Sequence, residues 1–212
     1  MAHDFKVLSS ELLLDAPIVA VRQDKLAMPN DQVAFREVIE HMGAVAVVAV
    51  NENNEIAMVN QYRHSVKRRL WEIPAGLLDV QGESEILGAQ RELVEEAGLE
   101  AAEWSVLTDL VTSPGFCEES ARVFLAQGLT AVERPEAFGD EEADMDFAWV
   151  DLDEAVAKVL SGEINNSIAV AGILAAKQVL SGNGQAREVS APFELRPTSI
   201  ASRRQGPDLK KQ

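Results

Sequence analysis

Cysteine, positive charge and long apolar runs are all scarce in this 212-residue sequence. Its single cysteine, Cys117, excludes an internal disulfide. That residue also lacks the helix N-terminus or basic neighbour that would activate a thiol. The longest apolar stretches, residues 44–50 and 168–176, fall far short of the roughly 20 residues a membrane-spanning helix needs. No basic start followed by an apolar segment marks a secretory signal. Together these absences lead us to expect a cytoplasmic protein without membrane attachment. Nineteen Lys and Arg stand against 35 Asp and Glu, a formal net charge of −16. That balance argues against a nucleic-acid partner, because phosphate backbones select basic surfaces. It does not exclude a small anionic substrate. Exposed charges are screened over about 8 Å at physiological salt, so local arginines and a bound metal can govern a cleft. The three histidines, His3, His41 and His64, show no partner pattern and receive no chemical role.

What is present is regular. Residues 5–14, 18–28 and 32–40 carry β-favouring residues, broken by Asp15-Ala16-Pro17 and Pro29-Asn30-Asp31, and predict an extended N-terminal segment. Residues 43–50 are continuously apolar, as in a strand covered on both faces. The turn at Asn51-Glu52-Asn53-Asn54 and the strand pattern at 56–63 predict its hairpin partner. After a glycine-bounded loop at 75–82, a helix is expected at 85–97, stopped by Gly98. Strands at 104–111 and 122–126, an acidic loop at 131–145 and a short strand at 147–150 follow. Helices are expected at 152–160 and 167–180, and an irregular end beyond Gly182.

The helix at 85–97 carries the chemistry. At about 100° per residue, placing Glu92 at zero puts Glu96 near 40° and Glu95 near −60°. Ile86, Leu87, Leu93, Val94 and Ala97 take the opposite side, so an apolar face can pack while an acidic face lines a cleft. Carboxylates this close repel unless a cation neutralises them, and hard divalent ions such as Mg²⁺ or Mn²⁺ prefer such oxygens. An acidic helix face by itself is usually solvated surface. Here it belongs to a longer string: Gly76, Glu83, Arg91-Glu92-Leu93, Glu95-Glu96 and Gly98-Leu99.

That string resembles the signature of the Nudix hydrolase family. Six residues separate Gly76 from Glu83, one more than the family pattern has, and the extra residue falls in the loop before the helix. The resemblance implies an α+β fold, a Nudix-type α/β/α sandwich with a mixed β-sheet, preceded by an N-terminal antiparallel strand segment. The expected division is 1–42 for that segment, 43–198 for the hydrolase domain and 199–212 for an irregular tail. Glu92 and Glu96 would be metal ligands, with Glu95 a third ligand or a holder of metal-bound water. The Ala75 carbonyl would be a backbone ligand. Arg91 would orient a ligating glutamate. Glu83 would be structural. Two or three Mg²⁺ or Mn²⁺ ions would be held.

Outside the string, Ser113-Pro114-Gly115-Phe116 resembles the mark of the ADP-ribose pyrophosphatase branch of the family. Phe35-Arg36-Glu37-Val38, Gln61-Tyr62-Arg63, Leu70-Trp71-Glu72-Ile73-Pro74-Ala75-Gly76 and Asn165-Asn166-Ser167-Ile168-Ala169 extend the similarity to bacterial members. The likeness implies that Arg36 and Glu37 read adenine and that Arg63 meets the pyrophosphate, which suits a guanidinium fork. Gly115 would allow close backbone approach, and Glu119 would hold a ribose hydroxyl. Lys67, Arg68 and Arg69 add charge nearby, although a basic turn is more often merely exposed. The general base would come from the acidic loop, as Glu142 or the adjacent Glu141. The implied reaction is metal-assisted hydrolysis of ADP-ribose to AMP and ribose 5-phosphate by a homodimer with exchanged N-terminal strands. Another nucleoside diphosphate sugar or a dinucleotide is the nearer alternative, and a non-catalytic nucleotide sensor the more distant one.

Overall fold

The run of apolar residues from Ala44 becomes a strand at the centre of the molecule, covered on both faces. The structure is a computed structural model describing residues 3–135 and 144–210. Three strands come first: β1 (Val7–Asp15), β2 (Ala20–Ala27) and β3 (Val33–Glu40), an antiparallel sheet of their own. β4 (Ala44–Ala49), β5 (Glu55–Arg63), β6 (Arg68–Glu72) and β7 (Ala75–Leu77) lead into α1 (Glu85–Ala97). β8 (Leu99–Val111), β9 (Ser120–Ala131) and β10 (Asp146–Asp151) precede α2 (Leu152–Ser161), α3 (Ser167–Leu180) and the short α4 (Ser199–Arg203). The central sheet has the order β7-β4-β9-β8, with β4 parallel to β9 and the other pairs antiparallel. A second antiparallel sheet has the order β10-β5-β6.

The period of two along β4 divides the core into two layers. Val45, Val47 and Ala49 pack with Ala89 and Leu93 of α1, while Ala46, Val48 and Val50 pack with Ala169, Ile173 and Ala176 of α3. β9 repeats the division: Phe124 and Ala126 join the α1 side, Val123 and Leu125 the α3 side. The result is an α/β/α sandwich around a mixed sheet. Asn166 caps α3 by accepting the amides of Ile168 and Ala169. Gly98 ends α1 in the left-handed conformation, φ 64°, a geometry that a side chain would penalise.

Several local expectations need correction. Residues 43–50 and 56–63 do not form a hairpin. Asn51 turns the chain by accepting the amides of Asn53 and Glu55, but beyond the Val50–Ile56 bridge the strands enter different sheets. β4 pairs instead with β7 and with β9, and β9 lies some seventy residues downstream, beyond what a local pattern can specify. β8 begins at Leu99, directly after the α1 cap, and β9 runs on to Ala131. Leu87 is exposed rather than packed, its place taken by the buried Gly88 and Ala89. The end of the chain is not wholly irregular. It contains α4 and buries Ile200, Arg204 and Leu209. Among the described residues no helix is long and apolar enough to cross a membrane.

Candidate active site

Glycine at position 76 lets α1 approach β7 closely. A Cβ placed there would fall 1.9 Å from Cδ of Glu92, so the carboxylate fills the space a side chain would need. One turn on, Glu96 accepts the Ala75 amide at 2.9 Å. The apolar side of α1 is clamped onto the sheet by Leu93 and Ala89, which turns this acidic side toward β7. Both carboxylates are held in poorly solvated surroundings. Burial pushes Glu92 up to about 7, against the bonds and charge of Arg91, and pushes Glu96 up to about 8, against the Ala75 amide.

Arg91 gathers the remaining acids. Its Nη1 reaches Glu92 at 2.5 Å and Glu95 at 3.1 Å, its Nε and Nη2 each reach Glu83 at 3.2 Å, and Asp79 lies 3.7 Å from Nη2. Glu83 is thus placed in the loop-to-helix clamp. Among the described residues no three His, Cys, Asp or Glu side chains form a ready-made metal cage. Arg91 and the Ala75 amide occupy one oxygen each of Glu92, Glu95 and Glu96.

A cleft of about 570 Å³ opens beside β7. Ala75 and Gly76 line it, as do Arg63, Glu72 and Glu119. Arg63 forks onto Glu72, Nε to Oε1 at 2.9 Å and Nη2 to Oε2 at 2.7 Å. Glu72 is buried, whereas the Arg63 side chain is 41% exposed, so the pair presents a guanidinium to the cleft over an internal anchor. Glu119 accepts the Thr112 hydroxyl at 2.5 Å and lies 3.6 Å from Nε2 of His41. His41 Nδ1 accepts the Gly43 amide, and burial holds the ring's pKa down despite Glu119 and Glu118, so the neutral ring carries its proton on Nε2.

Not every candidate residue meets there. Arg36 and Glu37 sit exposed on β3 and do not line the cleft: Arg36 donates to the Phe35 carbonyl at 2.8 Å, and Glu37 accepts from Gln23 at 2.9 Å. Gly115 is exposed in the 113–116 turn, which is tied to β3 by the Ile39 amide donating to the Phe116 carbonyl. Glu141 and Glu142 lie outside the described residues. The structure adds Glu72, His41 and Lys210 to the cleft wall. Glu72 had a sequence signal, an acid within the strand-like run Leu70-Trp71-Glu72-Ile73. His41 and Lys210 had none, because only chain reversal brings them near.

The carboxylates of α1 do not themselves line the cleft: Glu92 and Glu96 sit against Gly76 and Ala75, which do, beside a forked arginine, and that arrangement fits a hydrolase that handles phosphates. The chain belongs to the Nudix family: the family model for the NUDIX domain matches residues 40–169. The chain is 54% identical over 202 residues to the ADP-ribose pyrophosphatase of Mycobacterium tuberculosis, covering 95% of this chain and 97% of that protein. Two relatives are 36% identical. They are the methanol dehydrogenase activator of Bacillus methanolicus (79% of this chain, 90% of the relative) and the ADP-ribose pyrophosphatase of Bacillus subtilis (75% and 85%). A crystal structure of an ADP compounds hydrolase superposes with a TM-score of 0.75 at 21% identity, covering 87% of this chain and 98% of its own, and shows the same fold.

Proposed function

We propose that this Nudix pyrophosphohydrolase cleaves ADP-ribose to AMP and ribose 5-phosphate. Water attacks one phosphorus of the pyrophosphate; a new P–O bond forms, the bridging P–O bond breaks, and the bridging oxygen leaves with the other phosphate. The observation that carries the reading is the contact of Glu92 with Gly76, which seats the helix carboxylates against the strand lining an arginine-bearing cleft. The extended similarity to ADP-ribose pyrophosphatases supports the choice of substrate.

Glu92 and Glu96, with Glu95 and the Ala75 carbonyl, would hold two or three Mg²⁺ or Mn²⁺ ions. Two carboxylates one helical turn apart, packed against the Ala75–Gly76 backbone, are hard oxygen donors that fit such ions. When bound, the metal supplies charge neutralisation at the phosphates and a more acidic water. Arg91 keeps Glu92 and Glu95 oriented from behind. Arg63, braced by Glu72, positions the pyrophosphate, and Glu119 is placed to accept a ribose hydroxyl. Gly115 lets the 113–116 turn come close to the ligand. Glu142, or Glu141, takes the proton of the attacking water.

The reading includes a cytoplasmic homodimer in which residues 1–42 serve the neighbouring subunit. The N-terminal segment exposes Phe5, Val7, Leu8, Leu12, Leu13, Leu14, Val33 and Phe35, a set of large apolar side chains that suits an interaction surface. A second copy would cover it and bring Arg36 and Glu37 to the partner's cleft, where they would read adenine. Their absence from this chain's own cleft also favours a second reading, in which the nucleoside is not adenosine and the substrate is another nucleoside diphosphate sugar or a dinucleotide. Incubation with Mg²⁺ and a panel of ADP-ribose, other nucleotide sugars and dinucleotides, with product analysis, separates the two. Preferred release of AMP from ADP-ribose is expected; faster cleavage of another compound would overturn the substrate. Glu92→Gln should abolish turnover with the fold retained, and near-normal activity would refute the ligand assignment.

A further inference from the structure

The chain beyond α3 returns to the cleft beside β7 and is fastened there. Ile200 of α4 and Leu209 pack with Met42 and with Leu77 of β7. Arg204, almost wholly buried, donates to the carbonyls of Pro17 and Leu209, each at 2.7 Å, and to the Asp15 carboxylate at 2.7 Å. The Gln81 amide donates to the Pro207 carbonyl at 3.0 Å and the Leu209 amide to the Asp79 carbonyl at 2.7 Å, about a Val80–Asp208 bridge. Residues 207–209 are thereby laid antiparallel along the loop between β7 and α1. The next residue, Lys210, lines the cleft together with Ala75 and Gly76, and its Nζ lies 2.5 Å from Oδ2 of Asp79.

We propose that Lys210 is a tethered counter-cation of the metal site: it balances the acids of this loop and helix in the metal-free protein and opposes the entry of the first divalent ion. The inference rests on the metal reading given above. Asp79 is buried, and the other cation near it, Arg91 at 3.7 Å, is already divided among Glu83, Glu92 and Glu95. Lys210 adds a further positive charge beside Asp79, delivered there by backbone pairing. The Lys210 side chain is itself 44% exposed, so its place depends on the clasp at 204–209 and not on burial of its own stem. Removing its charge makes the carboxylate cluster one unit more negative, which strengthens attraction for a divalent ion. A lysine that merely stitched the end of the chain down would alter thermal stability and leave metal affinity alone.

The test is a titration of the whole chain with Mn²⁺ at low ionic strength, reading free Mn²⁺ by electron paramagnetic resonance. Lys210→Gln should bind Mn²⁺ about fivefold more tightly, the scale of one partly exposed charge acting on a divalent ion. Lys210→Glu should bind more tightly still, Lys210→Arg should match the unsubstituted chain, and the differences should shrink at high salt. Unchanged or weaker binding by Lys210→Gln, with the unsubstituted chain binding normally, overturns this inference alone. No Mn²⁺ binding by the unsubstituted chain, or none lost in Glu92→Gln, rejects the metal reading and this inference with it.

Discussion

Glu92 stands where a side chain on Gly76 would stand: a Cβ at that position would meet Glu92 Cδ at 1.9 Å and its oxygens at 2.0 and 2.4 Å. The close approach of β7 and α1 therefore depends on the missing methyl as much as on the helix's acids. Gly76→Ala should push the carboxylate aside, lowering kcat about 100-fold, the scale expected for a roughly 1 Å misplacement. Because the displaced atoms are the end of a flexible side chain, the stability cost should be small, about 1 kcal/mol or less. Turnover at saturating Mg²⁺ and a denaturant melt check the two effects separately; full turnover in a destabilised variant would mean that the position of Glu92 does not matter.

Arg63 both faces the cleft and covers a buried acid. Arg63→Ala should raise KM for ADP-ribose more than it lowers kcat, since binding is lost throughout the reaction. Water reaches the half-exposed guanidinium, so the stability loss should be modest, about 1–2 kcal/mol. Adding Glu72→Gln should recover part of that loss without recovering KM. Steady-state kinetics and melting curves of both variants provide the check.

Among the described residues Arg36 bonds to the Phe35 carbonyl and Glu37 to Gln23 on an exposed strand, so alanine at either should change stability by less than about 0.5 kcal/mol. If they read adenine across a dimer, KM for ADP-ribose should nevertheless rise clearly. A charged substitution at Phe35, which is 53% exposed on the same sheet, should produce monomers with the same defect. Light scattering beside kinetics decides, and active monomers with unaltered KM would sink the shared-site reading.

Away from the cleft, Arg122 is 1% exposed and forks onto Asp109, Nε at 2.8 Å and Nη2 at 2.9 Å. It also donates to the carbonyls of Ala191 and Pro192, holding the chain after α3 against the sheet. Burial alone would raise the Asp109 pKa, but its bonds to Arg122 and Arg187 outweigh that and hold it below the ordinary 3.8. A depressed carboxylate stabilises the fold fully above its unfolded value and loses that contribution as pH falls through the folded one. Asp109→Asn should cost about 3–5 kcal/mol near neutrality by stranding a buried guanidinium. It should also flatten the acid limb of the stability profile below about pH 4. Melts between neutral and strongly acidic pH measure both.

Much of this was legible from residue order. The carboxylate helix, its Gly98 stop, the doubly covered strand at residues 44–49 and the two later helices follow from local periodicity and capping. Such signals are complete within about twenty residues. Strand partners are not local. β4 pairs with β9 because Phe124 and its neighbours continue both apolar layers, and that match exists only once the chain has folded. For the same reason the pattern at 43–63 resembled a hairpin.

The helix of Arg91, Glu92, Glu95 and Glu96, and the kind of ion its oxygens suit, were determined by the sequence alone, because helical spacing places those groups on one face whatever lies around them. Tertiary structure decided what surrounds that face. It buried Glu92 and Glu96 enough to raise their proton affinity, backed Arg63 with Glu72, and kept Arg36 and Glu37 out of this chain's cleft. It also carried Lys210 to Asp79 from the far end of the described chain. Burial, pairing and approach depend on contacts between distant residues, which local periodicity does not encode.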